Sequence, residues 1–200
     1  MKSKNNMAVI GGRVLTEPKV FDCCGETFYE FDVSVKRESG TEDIIPVNVS
    51  EILAGKVCVG NTICLGGQIR TYNKQVDGKS RLIVVFFALD KYSYEGDVNS
   101  VELTGYFCKQ PQHRITPLGR DICDVLLAVN RDRGKSDYIP LIVWGRTARH
   151  IGTLDVGQHA TVTGRFQSRV YQKAAPDGKV IERTAYEVSV NRITETEAEE

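Results

Sequence analysis

The chain repeats itself, and the repeat fixes its organisation more firmly than any composition figure. Ile10-Gly11-Gly12-Arg13-Val14 with Pro18 returns as Leu103-Thr104-Gly105-Tyr106-Phe107 with Pro111. Phe31-Asp32-Val33-Ser34-Val35-Lys36-Arg37 returns as Val125-Leu126-Leu127-Ala128-Val129-Asn130-Arg131. The offset grows along the chain: 93 at Pro18/Pro111, 94 at Arg37/Arg131, 97 at Gly67/Gly164 and 100 at the two Asp-Gly-Lys turns of Asp77 and Asp177. Each step reads as a loop insertion that leaves the intervening strands in register. Two units of roughly 95 residues follow, each near the usual size for a small domain with its own core.

Charge separates the units. Across 200 residues, 26 basic and 26 acidic side chains cancel. Residues 1–98 carry 12 basic and 13 acidic side chains, a net of −1, whereas residues 99–193 carry 14 and 9, a net of +5. The second unit is thus the one suited to a polyanion. The six cysteines form no Cys-x-x-Cys pair, and His113, His150 and His159 stand at no ligand spacing from them, so no metal or other cofactor is expected. Cys64 and Cys108 fall inside apolar strand patterns, where a reduced cysteine acts as a small hydrophobe. No signal peptide and no bilayer-length apolar run is evident, which points to a reduced, cytoplasmic protein with no membrane partner.

Period-two alternation with turn residues every ten or so positions predicts an all-β protein. Helical patterning is brief: Glu51–Val57 in the first unit and Arg146–Leu154 in the second. Each unit reads as three strands, a short helix and a hairpin. That is the order of the OB fold, a five-stranded Greek-key barrel, so the expectation is two tandem OB folds, each with a short helix. The expected boundaries are 1–92 for the first barrel, 93–99 for a linker, 100–193 for the second barrel and 194–200 for an acidic, disordered tail.

Side chains on a strand alternate between faces. Ile139, Leu141 and Val143 match Ile45, Val47 and Val49 and are assigned to the core. The opposite face then carries Tyr138, Pro140, Ile142 and Trp144, where the first unit has Ile44, Pro46, Asn48 and Ser50 and no ring. On the second unit's hairpin, Phe166, Ser168 and Val170 share one face, and Arg165, Gln167, Arg169 and Tyr171 the other, with Lys173 next in that row. The first unit keeps a thinner version in Gln68, Arg70, Tyr72 and Lys74. Arg131, Arg133 and Lys135 add cations from a loop, and Arg114 and Arg146 extend the track. Cations alternating with rings suit single-stranded nucleic acid: the cations follow phosphates while the rings stack on unpaired bases, each worth roughly 1–3 kcal/mol. RNA fits this pattern as well as DNA, since both polymers offer phosphates and stackable bases.

Catalysis finds no footing. Asp121 and Asp124 would face opposite ways on one strand, Asp132 and Asp137 complete no metal cluster with them, and no nucleophile triad, phosphate-cradling glycine loop or zinc helix is present. No enzyme and no small-molecule substrate is expected.

The second unit closely resembles the bacterial single-stranded DNA-binding protein family. The resemblance is carried by Asn99-Ser100-Val101-Glu102-Leu103-Thr104-Gly105, Leu127-Ala128-Val129-Asn130-Arg131, Tyr138 through Ala148, Val156-Gly157 and Val162-Thr163-Gly164-Arg165. It implies base stacking at Tyr138, Trp144 and Tyr171, backbone contacts at Arg146 and Arg169, and a further stacking position near Arg133, where this chain has no ring. It also implies sequence-tolerant binding of single-stranded DNA in replication, repair or transfer, and a homodimer that reaches four OB folds. Two departures stand out. Ile44 and Ser50 replace the third-strand aromatics of the first unit, which points that unit toward assembly. The sequence given ends Glu197-Ala198-Glu199-Glu200, acidic but without the terminal aromatic that the family uses to dock partners. The competing expectation is an OB-fold interaction protein, similar to a primosomal accessory subunit, whose apolar third-strand face is an oligomer contact.

Overall fold

The computed structural model describes residues 5–23, 25–76, 78–132, 134–174 and 180–195. The first unit contains β1 (Asn6–Val14), β2 (Lys19–Cys23), β3 (Glu26–Lys36), β4 (Glu42–Ser50), α1 (Glu51–Ala54), β5 (Thr62–Val76) and β6 (Lys79–Tyr92). The second repeats the order as β7 (Val98–Phe107), β8 (Gln112–Ile115), β9 (Asp121–Asn130), β10 (Ser136–Trp144), α2 (Gly145–Ile151), β11 (His159–Ala174) and β12 (Val180–Glu195).

Each unit closes on itself through five long strands. In the first, β1 pairs with both β3 and β5, β3 with β4, β4 with β6, and β6 with β5. The second closes in the same way. Two OB barrels result, all antiparallel except β4 on β6 and β10 on β12. Closure brings crossing strands very close. A Cβ on Gly105 would collide with the Ala128 carbonyl oxygen, and one on Gly12 with that of Ser34, so only glycine serves at these two repeat positions.

Strand parity places the core as the alternation demanded: Ile45, Val47, Val49, Ile139, Leu141 and Val143 are all buried. Phe31, Phe86, Phe107 and Phe166 fill the barrel interiors. Cys64 is also buried, as is Cys123 in the core, where burial together with the nearby Asp124 charge pushes the Cys123 thiol up to about 11.

Several expectations are corrected. Short hairpin strands β2 and β8 were not foreseen; β8 is exposed along its whole length and shows no apolar alternation. The helices are shorter than the pattern suggested, since Gly55 and Gly152 close them. The stretch expected to link the units contributes Val98 and Asn99 to β7, where they pair with Gly11 and Ile10 of β1. That pairing joins both barrels into one twelve-stranded sheet. At the far end, β12 runs to Glu195; the tail from 196 to 200 and the turn at 175–179 lie outside the described residues.

The β1 to β7 register reveals an internal two-fold relation. Ala8 lies opposite Val101, its own counterpart at the offset of 93, and Asn6 lies opposite Leu103, the counterpart of Ile10. The units therefore meet like the halves of a symmetric dimer, each presenting equivalent residues to the other.

Candidate nucleic-acid interface

Two buried carboxylates fix how the units meet. Asp43, fully buried, accepts from Arg37 Nε (2.7 Å) and Nη2 (2.5 Å), and from the backbone N–H of Ser168 in the other unit (3.0 Å). Its counterpart Asp137, also fully buried, accepts from Arg131, from Arg70 Nη1 (2.9 Å) and from the backbone N–H of Thr71 in the other unit (2.6 Å). Two hydroxyls complete the exchange: Ser168 Oγ accepts the Ile44 N–H at 2.9 Å, and Thr71 Oγ1 accepts the Tyr138 N–H at 2.8 Å. Charged groups this deep persist only when fully paired, and here each carboxylate is satisfied from both units.

On the Asp43 side, the junction opens into a groove of about 790 Å³, lined by Arg37 and Thr41 of the first unit with Arg120, Trp144, Thr147, Arg165, Gln167 and Arg169 of the second. Trp144 ends β10 just before α2, 39% exposed, and its indole N–H donates to Ser189 Oγ at 3.1 Å. One hydrogen bond at the ring edge sets the orientation and leaves ring surface open to solvent. Arg165 is half-buried. Its Nη2 donates to Gln167 Oε1 at 3.2 Å, while its Nε has no hydrogen-bond partner among the described residues. Burial, and then the neighbouring Arg37 charge, lower its pKa. An anion in the groove would relieve both effects. Arg169 pairs with Glu187 at 3.2 Å, and its guanidinium stands 5.7 Å from the centre of the Tyr171 ring. Tyr171, 36% exposed, lines a second hollow of about 710 Å³ with Pro46 and Pro140.

The predicted residues thus divide into two groups. Trp144, Arg165, Arg169 and Tyr171 follow one another along one face of the second barrel. Tyr138, 46% exposed, lies on the Asp137 side with Arg131 and Arg70; Tyr72, 40% exposed, follows Thr71 on β5. Tyr138 is six residues along β10 from Trp144, or about 20 Å at the usual rise per residue. Arg131 and Arg70 act chiefly as partners of Asp137, and Arg131 also donates to the Thr71 carbonyl at 2.9 Å. Arg114 is paired with Asp124 at 2.5 Å. Arg146, Lys135 and Lys74 are exposed. Arg133 lies outside the described residues, as does the Lys173 side chain.

One expected surface residue is misplaced. Ile142 is buried, 2% exposed, although it lies on the face opposite the core. Asp124 and Ser189 flank it from the neighbouring strands, and the Trp144 indole reaches across to Ser189. Arg37, Thr41 and Arg120 were missed. The first two belong to the other unit and reach the groove only through the two-fold arrangement; Arg120 sits in a turn that strand parity does not orient.

Residues 98–195 match the family model described as the single-strand binding protein family. Single-stranded DNA-binding protein 2 of Listeria innocua is 36% identical over 89 residues, 41% of this chain and 55% of that protein. Single-stranded DNA-binding protein A of Bacillus subtilis is 35% identical over 82 residues, 38% of this chain and 48% of that protein. The chain spans about half the length of the curated relatives it matches. The crystal structure of the wild-type single-stranded DNA binding protein from Thermus aquaticus superposes with a TM-score of 0.74 at 20% identity, covering 98% of this chain and 94% of that one. A deletion mutant of the same protein gives 0.72. This similarity extends over both barrels.

Proposed function

With residues 98–195 matching the model of the single-strand binding protein family, we propose that the chain binds single-stranded DNA without sequence preference and without catalysis, chiefly through the groove beside Trp144. One observation carries the reading: an exposed tryptophan edge-anchored to Ser189 shares a single groove with Arg37, Arg120, Arg165 and Arg169. Bases unstacked from a single strand lie against the ring while the guanidiniums neutralise the backbone. Arg169, lining the groove and standing over Tyr171, continues the path toward the second ring. A duplex keeps its bases stacked internally and gains only the phosphate contacts. The cellular setting that fits single-stranded DNA binding is the cytoplasm, in replication, repair or transfer. Two copies of the chain would bring four barrels around the strand, and a mass measurement with and without oligonucleotide tests that count.

Titration with oligothymidylate at two salt concentrations tests the binding. Trp144 is the only tryptophan, so its fluorescence reports the groove directly. The expected result is strong quenching, with affinity falling as salt rises because bound counterions are released. Unquenched Trp144, or duplex bound as tightly as single strand, would reject the reading. The rival, an apolar third-strand oligomer contact, loses its main support because Ile142 is covered within its own unit.

A further inference from the structure

The first unit has lost the ring at Ser50, yet aromatic surface has not left that face of the barrel. Registers show where it went. Asn48 lies opposite Phe87 as Ile142 lies opposite Ser189, so Phe87 occupies the Ser189 position. Phe28 lies opposite Ser50 as Ile122 lies opposite Trp144, so Phe28 occupies the Ile122 position. In the second unit, one large ring on the middle strand reaches over a small serine. In the first, the middle strand carries the small side chains and rings stand on both flanking strands. Phe28 and Phe87 meet edge to face, with centroids 5.5 Å apart and planes at 70°. Phe21 of β2 extends the row, 6.0 Å from Phe28. All three are partly exposed, and none belongs to the buried core.

We propose that Phe28 and Phe87 form a second base-stacking platform, which takes unpaired nucleobases of the same single strand that fills the Trp144 groove; this rests on the reading of the previous subsection. Two independent observations favour a ligand over simple packing. Asn48, on the same face of the strand between the two rings, is 4% exposed, and its Oδ1 has no hydrogen-bond partner among the described residues. Unsatisfied buried acceptors are uncommon in folded proteins, and the edges of nucleobases carry N–H donors suited to one. Charge is also at hand. Gln68, opposite Phe87 on β5, begins the outward row in which Arg70 is engaged by Asp137 and Lys74, about 20 Å farther along, is exposed. A strand running from Trp144 across the two-fold relation would therefore meet rings again and, farther along the same row, the exposed Lys74.

The test uses the full chain with Phe28 and Phe87 both replaced by Leu, which keeps apolar bulk and removes the π faces. Oligothymidylates of about 8 and about 30 nucleotides are titrated against Trp144 fluorescence, lengths chosen around the roughly 4–16 nucleotides held per OB fold. The short oligomer should bind as in the parent, with equal quenching. The long one should bind at least about five-fold more weakly, the smallest loss expected for one stacked base. Unchanged affinity for the long oligomer, with Trp144 still quenched, overturns the platform and leaves DNA binding in place. Absence of quenching in the parent protein overturns both. Ultraviolet cross-linking of the unmutated protein to a bromodeoxyuridine-substituted strand does not depend on the variant's folding. Adducts on the Phe28 or Phe87 peptides support the platform, and adducts confined to Trp144 and Tyr171 count against it.

Discussion

Arg165 shows how a single side chain can be held ready for a ligand. In the first unit its position is taken by Gln68, a neutral residue, since Arg165 lies opposite Ser189 and Gln68 opposite Phe87, the equivalent residues of the two barrel-closing pairs. The second unit instead places a guanidinium there, half-buried, with its Nε–H unpaired among the described residues and a second arginine close enough to depress its pKa. Such an arrangement is tolerable in the free protein because Asp43 lies nearby, and it becomes favourable once a phosphate arrives. Replacing Arg165 with Gln should therefore leave the fold as stable as before or slightly more so, as read by urea denaturation. The same variant should bind oligothymidylate more weakly and lower the salt slope by about 0.7, the value for one contact to a single strand. A lower stability with an unaltered slope would make Arg165 a packing residue.

Elements carry the constraint that residues alone do not reveal. Strand parity found the core and the outward row from Arg165 to Tyr171 because both sets lie on long strands whose register the repeat preserves. It failed for Ile142, where the covering atoms come from Trp144 two residues along and from β12, and for Arg131. Arg131 looks in sequence like one more loop cation, but Asp137 lies six residues later across the β9 to β10 turn and takes its charge. Pairing of that kind depends on a buried partner, which composition does not show. Asp137→Asn should cost about 3–5 kcal/mol, since it leaves Arg131 and Arg70 facing each other without their shared anion. Denaturant midpoints measure this. A loss below about 1 kcal/mol, the range of exposed pairs, would show that the carboxylate is not acting as the lock between barrels.

At the scale of the molecule, the repeat was legible and the two-fold contact was not, because the sequence aligns the units without saying that they would face each other. The contact has three parts: the backbone ladder between β1 and β7, the Asp43 lock and the Asp137 lock. The Trp144 groove lies across this junction, so binding depends on the barrels holding one relative position. A rigid junction predicts a single cooperative unfolding transition, with calorimetric and van't Hoff enthalpies equal as for a small one-domain protein. Replacing Asp43 and Asp137 together by Asn removes both carboxylate locks and leaves the ladder with the two hydroxyl contacts of Ser168 and Thr71. Two resolved transitions should then appear in calorimetry, because each barrel retains its own closed ring of strands. Binding should weaken in parallel, even though none of the rings has been changed. Two transitions already present in the unsubstituted chain would show instead that the barrels unfold independently and that the locks do not couple them.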